Sequence, residues 1–322
     1  MKTKQEKLDA KAEKKYYKTH KNFIKMTWKD VLFYVIDYLV FGVFTISCFF
    51  PFYYIFINTV SDNALVSAGK INFYPQGFTL ANYIALGNVS DLGTAFIVTI
   101  TRTILGTVLM VIASAICGYL MTKNDMWHKK FWYRFLVITM YFNAGLIPAY
   151  TNLLMLGLTD NFLVYIIPAI VQPYNIILVK TYIESIPSEL EESAFIDGAS
   201  YSKIFMKIIW PLSKPILATI AIFGAVGHWN SFTDSIIYMQ NNTGLQTLQH
   251  KLYTWLNTTS NLGQLFSQGM SSTEAARFNQ QQASVKVIKY TISMVTVLPI
   301  LVVYPWMQRY FEKGIMLGAV KG

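Results

Sequence analysis

Three carboxylates, Glu189, Glu191 and Glu192, crowd into the run Ile186-Pro-Ser-Glu-Leu-Glu-Glu-Ser-Ala-Phe-Ile-Asp-Gly-Ala199. Paired carboxylates can do general acid and base work when two elements bring them face to face. Here they share one short stretch whose local signals are structural. Pro187 breaks the preceding helix, Ser188 is a good N-cap with Glu191 three residues on as its capping-box partner, and Gly198 supplies a stop. The acidic side chains then suit the positive end of the helix, while Leu190, Ala194 and Phe195 share an apolar side. Such a helix has one face to bury, under its own chain or against a partner. Other chemistry is not readable. The chain has no GxxxxGK[ST], HExxH, GxSxG or GxGxxG run, and His20, His128, His228 and His250 are scattered. Cys48 and Cys117 sit in apolar runs without spaced partners, so neither a disulfide framework nor a metal site is expected.

A second set of residues is uncharged. Tyr141, Asn143, Gln172, Asn175, Trp229 and Asn230, with Tyr174 nearby, are polar or aromatic groups inside long apolar stretches. Amides offer hydrogen bonds and aromatic rings offer flat apolar faces, so the six are candidates for a substrate path. The same residue types also serve as interhelical hydrogen bonds and interface anchors. Asp37 and Arg102 are the main ionisable residues within the apolar stretches. His228 is the only one placed for proton relay, and we read it as a hydrogen-bonded neutral histidine.

The elements that must position these groups follow from composition. The 322 residues are 53% hydrophobic and only 14% charged, too apolar for an ordinary soluble domain. Six uncharged stretches are long enough to cross a bilayer as helices: Tyr38 to Ile57, Thr103 to Thr122, Phe135 to Thr159, Asn161 to Val179, Pro215 to Thr233 and Tyr290 to Gln308. Lysines and arginines set their orientation. Ten lysines lie within residues 1–29, four basic residues between the second and third spans, four between the fourth and fifth, and three after the sixth. The positive-inside rule therefore places both termini in the cytoplasm. The first span is too long for a signal-peptide core and is read as retained. The lysine tail lacks the aromatic interleaving of a nucleic-acid site and suits an anionic lipid surface, so membrane lipid is an expected partner and nucleic acid is not.

The expected fold is all-α integral membrane with six transmembrane helices. Its layout is a basic cytoplasmic tail at 1–30, a transmembrane domain at 31–310 and a cytoplasmic tail at 311–322. Two connections exceed simple turns and are candidate functional segments: a cytoplasmic one at 180–214 and an external one at 234–284. In the latter, Leu245, Leu248, Leu252, Tyr253, Trp255 and Leu256 fall on one helical face, suited to the outer membrane interface or to the tops of the chain's own spans.

The run Glu192-Ser-Ala-Phe-Ile-Asp-Gly198, nine residues, then Ile208-Ile-Trp-Pro211 resembles the EAA motif of bacterial ABC-importer permeases. Ser193 replaces the motif's second-position alanine and Trp210 its usual leucine. The resemblance extends to the six-helix layout, to Gly145-Leu-Ile-Pro-Ala-Tyr150 and to the C-terminal run Gln308 to Gly322. It is closest to carbohydrate-uptake permeases similar to the maltose permeases, in the subgroup serving oligosaccharides and polysaccharide fragments. The resemblance implies a type I importer permease in a bacterial plasma membrane, forming half of a translocation pore. The implied partners are a second homologous permease, two copies of a cytoplasmic ABC ATPase, an extracytoplasmic sugar-binding lipoprotein and an oligosaccharide. ATP and Mg would be held by the ATPase subunits, with no cofactor or catalytic residue in this chain. It also implies that Glu191, Glu192, Ala194, Asp197, Gly198 and Ala199 couple the permease to the ATPase. Two rivals are a self-sufficient carrier or channel, which needs no EAA-like loop, and a membrane enzyme, which needs clustered His, Asp or Glu at one membrane face.

Overall fold

A computed structural model of the chain describes residues 27–87, 91–266 and 286–305. Most of the lysine tail, the end of the connection at 234–284 and the run from Gln308 to Gly322 lie outside them. All regular structure among the described residues is helical. The residues form two compact units, Met1–Tyr54 and Ile55–Gly322, whose boundary falls within the first helix.

That helix, α1 (Trp28–Thr59), contains the expected first span. Its start is fixed by reciprocal hydrogen bonds: the Thr27 backbone N–H and hydroxyl donate to Asp30 Oδ2 at 2.8 and 2.7 Å, and the Asp30 N–H donates to Thr27 Oγ1 at 3.4 Å. At 1.5 Å per residue its 32 residues extend about 48 Å, beyond the roughly 30 Å of a bilayer's hydrocarbon. Leu39, Phe41, Phe44, Ile46 and Phe49 are exposed, a surface that lipid covers at no cost.

Beyond Ile55, α2 (Asn63–Ser67) is capped by Asp62, and α3 (Ala81–Gly87) is tied back by Asn82 Nδ2 donating to the Thr59 carbonyl at 2.9 Å. The central element is α4 (Leu92–Thr122), which begins eleven residues before the expected second span and so carries Arg102 well inside it. It packs against α7 (Pro173–Ile183) and α10 (Lys214–Asn230). Glycines set the approach. A Cβ on Gly106 would lie 2.4 Å from His228 Nε2, one on Gly118 2.9 Å from Val179, and one on Gly224 2.6 Å from Met110, so these helices meet where side chains are missing.

The expected third span is not one helix. It divides into α5 (Lys129–Tyr141) and α6 (Leu146–Met155). Phe142 is extended, Asn143 Oδ1 accepts from the Gly145 N–H at 2.9 Å, and Gly145 adopts φ +88°, which interrupts the helical ladder. The fourth is also broken. The 3-10 turns Phe162–Tyr165 and Ile167–Ala169 precede α7 at a 43° bend, with Pro168 and Pro173 each opening a new segment.

The connection at 180–214 contains α8 (Glu189–Ile196) and α9 (Tyr201–Leu212), the latter with a π-helical stretch at Phe205–Ile209. A 77° bend bounded by Pro211 and Pro215 leads into α10. After α10 come α11 (Thr233–Tyr238), α12 (Leu248–Phe266) and α13 (Lys286–Pro305). Among the described residues, three helices are long and apolar enough to cross a membrane, or five if each bent pair is one span. Part of the apolar face of α12 rests on its own chain, where Leu248, Leu252 and Trp255 pack with Leu86, Leu92, Trp229 and Ile292, while Tyr253 and Leu256 are exposed.

Candidate functional site

Two regions carry the groups singled out in the sequence. The first is α8. The chain turns out of it through a Schellman motif, in which the Gly198 N–H donates to the Phe195 carbonyl and the Ala199 N–H to the Ala194 carbonyl, both at 2.9 Å, with Gly198 at φ +76°. The expected capping box is absent. Ser188 is itself helical, its side chain caps nothing, and its carbonyl accepts the N–H groups of Glu191 and Glu192 at 3.0 Å. Glu191 instead pairs with Lys123, which also lies 4.2 Å over the Tyr119 ring. Ala194 and Ala199 pack against the cluster built on Tyr119, Val179, Ile204 and Ile220. Phe195 meets Tyr201 edge to face at 4.8 Å, and the Tyr201 hydroxyl donates to Asp125 Oδ2 at 2.8 Å. That bond pushes the Tyr201 pKa up and keeps the donor protonated. Glu192, Asp197 and Gly198 are exposed, and Ile196 is 87% exposed. The six motif residues thus divide: Glu191, Ala194 and Ala199 hold the helix to its bundle, and Glu192, Asp197 and Gly198 face outward.

The second region is a cavity of about 490 Å³ between α4, α10 and the broken fourth span. Gln172, Asn175, Arg102, His228, Asp234 and Tyr238 contribute its polar wall. Gln172 and Asn175 are the two path candidates that the structure brings together there. Asn175 is buried, with Nδ2 3.1 Å from Met110 Sδ. Tyr141 and Asn143 stand exposed at the break between α5 and α6. Trp229 is turned away from this cavity, donating its indole N–H to the Thr296 carbonyl at 3.0 Å, and Asn230 is exposed and accepts from Gln249 at 3.4 Å. Trp229→Phe loses that bond and leaves part of the buried indole's space empty, so a destabilisation of about 1–3 kcal/mol is expected, measurable by thermal unfolding of the purified protein. His228 also corrects its expectation: its ring lies against Gly106, with no hydrogen-bond partner among the described residues.

Sequence reasoning missed the strongest polar contact of the cavity. Arg102, 2% exposed, forms a two-pronged pair with Asp234: Nη1 donates to Oδ1 at 3.2 Å and Nη2 to Oδ2 at 2.5 Å. Nη1 also donates to the Ser231 carbonyl at 3.3 Å, and the guanidinium lies 4.3 Å from the Tyr165 ring centroid. An arginine inside an apolar span was the available signal, since such a charge requires a partner. Around it a hydrogen-bonded chain runs from the Tyr165 hydroxyl to Ser235 Oγ at 3.0 Å, then to His250 Nδ1 at 2.9 Å.

Just before the expected fourth span, Asp160 clasps the segment after α11, accepting from the Asn241 N–H, Asn241 Nδ2 and the Asn242 N–H at 2.9, 2.7 and 3.2 Å. The Asn241 side-chain bond leads in holding the Asp160 pKa below its ordinary value of 3.8. A carboxylate depressed on folding stabilises above its unfolded pKa and loses that stabilisation as pH falls through the folded one. The clasp is therefore expected intact at neutral pH and open only below about pH 4. Asp160→Asn tests it at neutral pH, because Asn tolerates the φ of +55° found here. Faster amide exchange at Asn241 and Asn242 is the expected result.

Among the described residues no group of three or more His, Cys, Asp or Glu is placed to hold a metal. Long apolar helices around a cavity with a partly polar wall, with a short helix in the connection between two of them, define a multi-pass membrane protein. Residues 23–317 match the family described as binding-protein-dependent transport system inner membrane component, and the chain belongs to that family. It is similar to the polygalacturonan/rhamnogalacturonan transport system permease protein YtcP of Bacillus subtilis, 30% identical across 89% of this chain and 98% of that one. It is also similar to the melibiose/raffinose/stachyose import permease protein MelC of Bacillus subtilis, 27% identical across 85% and 92%. The fold matches a crystal structure of a bacterial ABC transporter involved in import of the acidic polysaccharide alginate, with TM-score 0.77, 26% identity and coverage of 89% and 99%.

Proposed function

We propose that this chain is one of two permease subunits in an ATP-driven oligosaccharide importer, and that α8 is the element through which a cytoplasmic ATPase drives it. The observation that carries the reading is the division of labour on α8. One side is bolted to α4 and α9 through Glu191, Ala194 and Phe195, and the other presents Glu192 and Ile196 to solvent. A push on that outer face passes through α9 into α10, which lines the cavity. The relatives' names, acidic and neutral saccharides alike, support a carbohydrate cargo.

In this reading the chain crosses the membrane six times with both termini in the cytoplasm, α5 and α6 together making the third span. The domain layout is a basic tail at 1–30, a permease domain at 31–310 and a second tail at 311–322. Two ATPase copies hold ATP and Mg, the sister permease completes the pore, and an extracytoplasmic sugar-binding lipoprotein meets the external connection at 234–284. Lipid surrounds the spans. The ATPase can shift the permease only by binding one of its states more tightly than the other, about 5.5 kcal/mol more for a shift from 1:99 to 99:1. The reading is tested by purifying the tagged protein from its native membrane in mild detergent and identifying what accompanies it. Recovery of a P-loop ATPase and a second EAA-bearing permease is expected, and recovery of this chain alone, folded and in high yield, would overturn the assignment.

A further inference from the structure

We infer that Arg102 is a carboxylate-recognising residue of the cavity, and that Asp234 occupies its fork as an internal stand-in until the carboxylate of an acidic sugar unit replaces it. The inference rests on the carbohydrate-import reading and narrows its cargo to acidic oligosaccharides.

A cation buried inside a membrane span is costly, and a pair that only tied α4 to α11 could be neutral without that cost. What the arginine adds is a planar fork that fits a carboxylate at two points, and Asp234 is bound in that way. The partners differ in burial: Arg102 is 2% exposed and Asp234 24% exposed. They also belong to different elements, so the Asp234 side chain can rotate out of the fork, giving up the Ser231 hydroxyl and Ser235 N–H that donate to its Oδ1 at 3.0 and 2.8 Å, while Arg102 stays within α4 and Tyr238 stays on the cavity wall. The cation is held ready from below by the Tyr165 ring, and its Nε is buried without a hydrogen-bond partner among the described residues, leaving one donor unused.

The wall around the fork suits a sugar. Tyr238 lines the same cavity and stacks on Tyr150 at 5.9 Å with an 11° interplanar angle, a braced aromatic surface for a pyranose CH face. Gln172 and Asn175 supply amides for hydroxyls, and about 490 Å³ falls within the roughly 300–1,000 Å³ of small-molecule sites. Among the lining residues Arg102 is the sole Lys or Arg and Asp234 the sole Asp or Glu. The wall is balanced while they pair and cationic when Asp234 leaves. Replacing one carboxylate by another conserves the desolvation already incurred, so an acidic sugar can bind and leave without trapping the transporter.

The test uses the complete importer in proteoliposomes, with its binding protein and an oligogalacturonate as probe, reading uptake and ATP hydrolysis together. Arg102→Gln combined with Asp234→Asn removes both charges but keeps a neutral hydrogen-bonding pair, so the fold and the binding-protein-stimulated ATP hydrolysis are expected to persist. Uptake per ATP should fall about tenfold, since a charge-assisted contact is replaced by a neutral one. Asp234→Asn alone should lower the KM for the acidic probe severalfold by removing the competitor. A merely structural pair predicts the opposite pattern: both single variants impaired, and the double variant restored in uptake as well as hydrolysis. That result overturns the inference. So does a wild-type importer that accumulates neutral oligosaccharides and rejects the acidic one, which leaves the import reading intact. ATP-driven accumulation of no oligosaccharide at all removes that reading as well.

Discussion

Glu192→Lys is expected to leave the chain in the membrane at wild-type level while abolishing energised uptake. The carboxylate of Glu192 is exposed and makes no hydrogen bond or ion pair among the described residues, so the fold asks little of it. Reversing its charge costs the helix about 0.3–1 kcal/mol through the unfavourable interaction of a cation with the N-terminal turn. A partner built to receive the carboxylate loses far more: truncating one member of a buried interfacial charge pair costs about 2–5 kcal/mol, and reversal adds repulsion. Co-purification of the ATPase should therefore drop at least thirtyfold, and uptake with it. Glu191→Gln is the informative contrast. It removes the ion pair with Lys123 and loosens the seat of α8 without touching the outward face, so a partial loss of uptake with near-normal ATPase recovery is expected. Normal uptake by Glu192→Lys would sink the coupling role.

Gly106→Ala should lower the thermal stability of the purified protein by about 1–3 kcal/mol, the usual range for overpacking. The new Cβ would fall 2.4, 2.5 and 2.9 Å from His228 Nε2, Cε1 and Cδ2, and the buried imidazole has only two side-chain torsions with which to move aside. The strain lands on the contact between α4 and α10, one wall of the cavity. Adding His228→Ala should return much of the loss, because it opens the space that the methyl needs. Gly42→Ala serves as the control: nothing lies within 4 Å of a Cβ there, and stability should hold or rise slightly. Equal melting temperatures for Gly106→Ala and wild type would contradict the packing described.

What the sequence disclosed followed from signals that are local. The long uncharged stretches that make up most of α1, α4 and α13 needed only counting, and the helix at Glu189–Ile196 followed from Pro187 at one end and Gly198 at the other. The outward position of Glu192 came from the EAA resemblance, not from periodicity. Where distant residues decided the outcome, local rules failed. Glu191 would have capped its helix, but Lys123, 68 positions away, binds it instead. The break between α5 and α6 was written in Asn143 and Gly145, yet the apolar residues on both sides hid it from a count of hydrophobic length. Trp229 and Gln172 look alike as mid-span candidates, and only packing against Thr296 sends one away from the cavity. Arg102 drew notice as a charge in a span, but Asp234, 132 positions on, could not be identified as its partner without the fold.

The proposed coupling is the conversion, by α8, of ATP turnover in a partner into movement of sugar through this chain. It is tested most directly by reconstituting the co-purified complex in proteoliposomes with the ATPase face accessible and following an oligosaccharide supplied with its binding protein. Accumulation against a gradient that requires ATP, and is lost in Glu192→Lys while this subunit remains present at wild-type amount, is the predicted result. Equilibration of the sugar without ATP, at the same rate in wild type and Glu192→Lys, would contradict the account and identify a self-sufficient carrier.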